Sequence, residues 1–172
     1  MSINIIAAIN ETHSIGVKGK LQYRIKKDLE RFKQLTQSNN GHPNICLMGK
    51  NTFLELDKPL SKRINVVLTS DKKLVVPKGV IVESSFDKVL NHYLHSGSQD
   101  KDLWICGGQE LFKQALPHSD KVFITYIHDD KVGDRHFPYE HVKQQFKIVH
   151  SEEHEENGLK FEFINYERKD DI

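Results

Sequence analysis

The chain has 172 residues, 28 % charged and 37 % hydrophobic, which suits one domain with a real core. Its formal net charge of +1 is too small to argue for nucleic acid or an anionic membrane surface. No stretch approaches the ~20 apolar residues of a membrane span, and two cysteines are too few for a disulfide framework.

The first apolar run, 3–9, is short, lacks a basic flank and gives way to Asn10-Glu11-Thr12-His13, so it reads as a strand rather than a signal peptide. A long polar connection follows over 10–24, with Gly16 and Gly19; compact domains rarely keep such a loop without a use. Ile25, Leu29, Phe32 and Leu35 recur at helical spacing and predict a helix over 25–36. A strand at 45–49 runs into Gly49 and a short helix over 50–56. Strands near 64–69 and 80–83 precede a helix over 86–94, marked by Phe86, Val89, Leu90, Tyr93 and Leu94. A strand at 103–106 enters Gly107-Gly108 and a helix over 109–116. Strands at 121–128, 146–151 and 159–167 finish the chain, the last two joined by polar residues 152–158 as an antiparallel hairpin.

Alternating strands and helices imply a sheet covered on both faces. The expected fold is one α/β domain over 1–172, an eight-stranded mixed, mainly parallel sheet with about four helices and a C-terminal hairpin. Cys46 and Cys106 sit in apolar runs and read as buried thiols in a reducing cytoplasm. His92 and His95, like His150 and His154, lack a Cys or carboxylate set at ligand spacing; they read as surface residues, and no metal is expected.

Three features point to a site. Two strands, at 45–48 and 103–106, each run into glycine and then a helix, an arrangement that offers free N–H groups to an anion. Two such ends at one sheet edge could hold the two ends of a dinucleotide. Gly107-Gly108 lacks the later glycine of a G-x-G-x-x-G fingerprint, and a tight turn explains each glycine equally well. The third feature is Asp28, four residues before Phe32 and seven before Leu35, hence on the apolar helix face. Lys26, Lys27, Glu30, Arg31 and Lys33 can all point to water. A carboxylate on the buried side is costly unless paired. Asp28 is then either a partly wet first-turn residue favoured by the helix dipole, or a carboxylate waiting in an apolar pocket for a hydrogen-bond-donating ligand.

In chain order, these residues resemble the dihydrofolate reductase family over nearly the whole length. Ile5-Ile6-Ala7-Ala8-Ile9 resembles its first strand. Ile15-Gly16 and Leu21-Gln22-Tyr23 resemble its mobile loop, and Asp28-Leu29-x-x-Phe32-Lys33 its substrate helix. Met48-Gly49-Lys50-Asn51-Thr52-Phe53 is similar to its cofactor motif. The segment from Pro59 to Thr69, with Arg63, is similar to its folate-binding arginine and following strand. Cys106-Gly107-Gly108, Leu111-Phe112, Thr125 and Gly133-Asp134-Arg135-His136-Phe137-Pro138 complete the ordered set.

The resemblance implies hydride transfer from C4 of NADPH to C6 of dihydrofolate, with a proton delivered to N5. It implies catalytic places for Asp28, Tyr23 and Leu21, with Asp28 binding the pterin 2-amino group and N3 beside Thr125. Ile6, Leu29, Phe32, Leu56 and Phe112 would wall the pocket, with the Cys106 carbonyl facing the pterin. Arg63 would hold the glutamyl α-carboxylate, a task for a planar fork. Ala8, Ile15 and Gly16 would lie at the nicotinamide. Gly107 and Gly108, joined by a cis peptide, and Gln109 would admit the cofactor. Lys50, Asn51 and Ser70 would surround the 2′-phosphate, with Thr52 and Thr69 also on the cofactor. The chain departs from the family at Gln22-Tyr23, where Pro-Trp is usual, at Lys50 for Arg, at Cys106 for an aliphatic residue, and at Gln109 for a third glycine. Rival readings are a riboflavin-pathway reductase on the same fold and a non-catalytic dinucleotide-binding protein. A cytoplasmic monomer is expected, with no nucleic-acid or membrane partner.

Overall fold

The computed structural model describes residues 2–16, 23–95 and 100–170. Gly19, Leu21 and Gln22 lie outside the described residues. The elements in chain order are β1 (Ile3–Asn10), β2 (Ser14–Gly16), α1 (Lys26–Thr36), β3 (Ile45–Gly49), α2 (Lys50–Leu54), β4 (Ile64–Leu68), β5 (Ile81–Glu83), α3 (Phe86–His95), β6 (Leu103–Ile105), α4 (Gln109–Ala115), β7 (Lys121–Ile127), β8 (Arg135–His136), α5 (Tyr139–Gln145), β9 (Phe146–Glu156) and β10 (Leu159–Arg168). Eight strands form one sheet in the order β5-β4-β3-β6-β1-β7-β10-β9, and β2 pairs with β8 apart from it. Pairing is parallel from β5 to β7; β10 runs antiparallel to both β7 and β9.

The central strands are apolar almost throughout because both of their faces are covered. Alternation decides which face each side chain serves. Ile5, Leu47 and Ile105 pack with Phe86, Leu111 and Phe112, towards α3 and α4. Ile6, Cys46, Met48 and Trp104 pack on the opposite side, with Phe32 and Leu35 of α1 against them. The carboxyl ends of β1, β3 and β6 therefore open between two helical layers, where ligands of open α/β sheets bind.

Three elements differ from the sequence reading. Five helices form rather than about four, since α5 buries Tyr139 and Val142 at i, i+3 behind Pro138. The short β2–β8 pair was read as loop. The polar segment 152–158 is mostly strand: β9 runs to Glu156, and the hairpin closes on Asn157-Gly158, with φ of 53° and 80°. A two-residue turn of that kind needs positive φ at both positions, which Asn-Gly supplies. β9 is a sheet edge, so its charged side chains blunt further pairing instead of marking a loop.

Candidate active site

The two glycine turns are bonded to each other. Gly49 N donates to the Gly107 carbonyl at 2.8 Å, and Cys106 N donates to the Leu47 carbonyl at 2.9 Å. The Gly107–Gly108 peptide is cis, as the resemblance implies. Gly107 has φ of +121°, and a Cβ there would press on the Phe112 ring and Thr52 Oγ1 at 3.4 Å. Only a residue without a side chain lets the backbone stand this open. α2 and α4 have five and seven residues, so short dipoles contribute less here than backbone N–H groups and polar side chains.

Outside these turns lies a groove of about 950 Å³, bounded by Lys50, Asn51 and Thr52 on one side and Thr69 and Ser70 on another, with Gln109 at α4. Lys50 Nζ donates to Asp71 Oδ2 at 3.0 Å. The backbone N–H of Lys73, and then Lys50, hold the Asp71 carboxyl below the usual range. Gln109 Oε1 accepts from His136 N at 2.8 Å and ties the start of α4 to β8, which explains a side chain where a third glycine is usual. A recess of about 90 Å³ adjoins the groove through Thr52, Gly108 and Arg135; Ala8, Ile15, Cys106 and Phe112 line it. A polar groove thus opens into a small, mostly apolar recess. Gly16 sits in β2, just past Ile15.

Asp28 is tied to the strand beside the one that lines the recess. Thr125 Oγ1 donates to its Oδ1 at 2.5 Å, and Thr125 is the register partner of Ala8 on β1. The carboxylate of α1 is thereby fixed beside the strand that reaches the recess. Burial raises the Asp28 carboxyl above its ordinary range, while the Thr125 hydroxyl and the Arg31 charge pull it down. α1 has no side-chain cap of its own. Glu156, at the tip of β9, accepts from Lys26 N at 2.7 Å and Lys27 N at 3.1 Å, leaving Asp28 free of capping duty.

Ile6 is buried, and Phe32, Leu56 and Cys106 pack in the same cluster. Phe112 reaches the recess from α4. Leu29 is 42 % exposed and stands at the open side. Arg63 lies past Phe32, with its guanidinium 5.9 Å from that ring. Its Nη1 donates to Thr36 Oγ1 and its Nε to the Ser61 carbonyl, both at 2.8 Å, so its fork is pre-aimed at the end of α1. The Cys106 thiol is pushed up by the neighbouring Cys46 thiol and by burial, which keeps it a neutral packing group.

Two residues behave differently from the sequence reading. Arg31, expected in water, is sandwiched near Phe163 and Phe123. Tyr23, given a catalytic place by the resemblance, donates its hydroxyl to Asp129 and accepts from Asn10 Nδ2 at 3.0 Å. Burial, then Asp129, pushes the phenol up to about 12. Neither Glu156 nor Asp129 stood out in the sequence, because their partners lie more than a hundred residues away.

Fold and groove together define a reductase that uses a nicotinamide dinucleotide. The sequence model of the dihydrofolate reductase family matches residues 2–168. The chain is 35 % identical to dihydrofolate reductase of Bacillus subtilis, over 97 % of this chain and 95 % of that one. It is 30 % identical to that of Drosophila melanogaster, over 95 % and 96 %. A solved dihydrofolate reductase from Enterococcus faecalis, complexed with NADP(H) and RAB-propyl, superposes with a TM-score of 0.85 at 28 % identity, covering 98 % of this chain and 97 % of its own. The chain belongs to the dihydrofolate reductase family. Its reaction is the NADPH-dependent reduction of 7,8-dihydrofolate to tetrahydrofolate, and the two rival readings fall with that assignment.

Proposed function

We propose that this reaction runs across the recess, with the pterin between Asp28 and Ala8 and the cofactor along the groove from Lys50 to Gly108. The observation that carries it is the Thr125–Asp28 hydrogen bond, which sets a half-buried carboxylate beside the β1 residue lining the recess. NADPH supplies a hydride from C4 of its nicotinamide when bound. Asp28 then accepts hydrogen bonds from the pterin amino group and N3, and favours a proton at N5. Ile6, Leu29, Phe32, Leu56 and Phe112 exclude water around the ring, and the Cys106 carbonyl faces it. Arg63 grips the glutamyl carboxylate. Ala8, Ile15 and Gly16 flank the nicotinamide, while Gly107, Gly108 and Gln109 give it room. Lys50, Asn51, Thr52, Thr69 and Ser70 serve the adenosine end, with the 2′-phosphate drawing Lys50 away from Asp71. Tyr23 fastens its end of the loop and donates no proton. The resemblance also gives Leu21 a catalytic place.

We also propose a cytoplasmic monomer. Support comes from a site completed by one chain and from the small net charge. Among the described residues no helix is long and apolar enough to cross a membrane. Following NADPH absorbance as dihydrofolate is added tests the reading: turnover that depends on both, with substoichiometric enzyme, is expected. Light scattering at working concentration tests the monomer.

A further inference from the structure

Arg31 follows Asp28 by three residues, one turn along the same face of α1. Its guanidinium does not reach for water. It lies 4.5 Å from the centroid of Phe163 and 5.9 Å from that of Phe123, and Nη2 donates to Asn165 Oδ1 at 2.5 Å. Phe163 is the register partner of Thr125, the residue that binds Asp28. The same two strands, β7 and β10, thus hold both the carboxylate and the cation. A lysine or arginine free in solvent would be screened; one held against aromatic rings and partly buried is screened less.

We propose that Arg31 is a positioning residue of this enzyme, whose fixed cation behind Asp28 sets the pH at which hydride transfer falls away. The inference rests on Asp28 as the carboxylate of the pterin site. Burial pushes the Arg31 guanidinium down to about 10, and Asp28 and Glu152 pull it back, so it stays charged at any working pH. Other charges nearby sit at the mouth of a cavity of about 350 Å³ between α1 and the β9–β10 hairpin. Lys27 and Glu30 face it from α1, and His150, Glu152 and His154 from β9. Both imidazoles engage Glu152, at 3.0 and 2.9 Å, which holds that carboxyl low. From β7 only the hydroxyl of Thr125 meets Asp28. Arg31 is the charged partner that acts on Asp28.

The sign does not depend on where the proton rests. A cation nearby disfavours a protonated Asp28 and a protonated N5 alike. The reaction consumes a proton, so its rate falls as pH rises. Removing the cation moves the midpoint of that fall upwards, by about half a pH unit for a charge several ångströms away in a partly wet site. On the alkaline side the step becomes about threefold faster at equal pH.

The test is single-turnover hydride transfer, NADPH and dihydrofolate both saturating, followed against pH in the parent, Arg31→Gln and Arg31→Lys. Glutamine keeps a donor for Asn165 but carries no charge; lysine keeps the charge. The expected result is a midpoint raised in Arg31→Gln and unmoved in Arg31→Lys. Arg31→Met, which fills the space between the rings, replaces the glutamine variant if that one does not fold, with the same expectation. A rate lowered equally at every pH with an unmoved midpoint overturns the proposal and leaves Arg31 a packing residue. A lysine variant shifted as far as the neutral one overturns it too. Asp28→Asn separates the two claims. If it keeps the parent's rate at neutral pH, the reading of the site fails; if it loses that rate while Arg31→Gln leaves the midpoint in place, only the role of Arg31 fails.

Discussion

The proposed pterin side and the proposed cofactor side of this site are built on opposite plans. The pterin side places one half-buried carboxylate among apolar walls, fixed by one hydroxyl from a neighbouring strand. The cofactor side is a wide groove of backbone amides, short hydroxyls and one lysine that already has a carboxylate partner. In the first, a single charge in a low-dielectric setting has no substitute, so its loss is concentrated. In the second, many modest contacts share the work beside water, so each loss is partial. Variants on the two sides should therefore differ in size and in what they change.

Asp28→Asn is expected to have the largest effect. Catalysis at neutral pH should fall by at least the ~10²–10⁴ of ordinary acid–base help. Activity should partly return as pH drops, because substrate protonated in solution no longer needs the carboxylate. The fold should not suffer. With its carboxyl raised in the native state, Asp28 holds a proton there at pH values where the unfolded chain has lost it. Stability is therefore lost as pH rises from the ordinary carboxylate range through the raised native value. The amide escapes this loss, so its melting temperature at neutral pH should equal or exceed the parent's. A variant that melts much earlier and keeps its rate would invert the contrast between the two sides.

The cofactor side predicts a smaller, divided effect. Removing Lys50 and Ser70 together should cost NADPH binding about 1.5–3 kcal/mol, or roughly tenfold to a hundredfold, and leave NADH nearly untouched. Equal kcat/KM for both cofactors in the unmodified enzyme would defeat that assignment. Smaller again is Arg63→Lys, which keeps charge and loses the fork, so dihydrofolate should bind roughly tenfold more weakly. Titration with a small antifolate lacking a glutamyl tail should show almost no change. Equal losses for both ligands would make Arg63 a support for Thr36 and nothing more.

How legible each side was in the sequence follows the same division. Asp28 could be placed because helical periodicity is local: four residues separate it from Phe32, and the face follows. The glycine turns were legible for the same reason. Arg31 was not, since a cation three residues further on can turn either way, and its burial depends on how β10 registers against β7. Asp71 next to Lys50, Glu156 at the start of α1 and Gln109 on β8 are likewise products of the assembled sheet. The polar stretch 152–158 was misread because an edge strand has no apolar face to announce it, although Asn157-Gly158 carried the turn signal in plain view. α5 offers only Tyr139 and Val142 as apolar positions, and the strands of the β2–β8 pair are three and two residues long, too little for a periodic signal.

The smallest expected effect belongs to Tyr23, which stands where the family usually has an indole and belongs to neither side. Its ring packs with Ala8, Ile25 and Ile127, and its hydroxyl bonds to Asp129 and Asn10, while Asn10 reaches on to the Lys131 carbonyl at 2.6 Å. The phenol thus joins the end of the first loop to the segment after β7. Tyr23→Phe keeps the packing and deletes one hydrogen bond, worth about 1 kcal/mol. In a chain of this length that lowers the melting temperature by roughly 2–4 °C. Hydride transfer should change little, because the hydroxyl is spent on structure. The pH profile should gain no new break, since the phenol ionises only near 12 and stays a donor throughout the working range. Asp129→Ala, which removes the acceptor instead of the donor, should reproduce the same modest shift in melting. A loss of hydride transfer in Tyr23→Phe as deep as that of Asp28→Asn would return the phenol to the chemistry, and the pterin side would then rest on two groups.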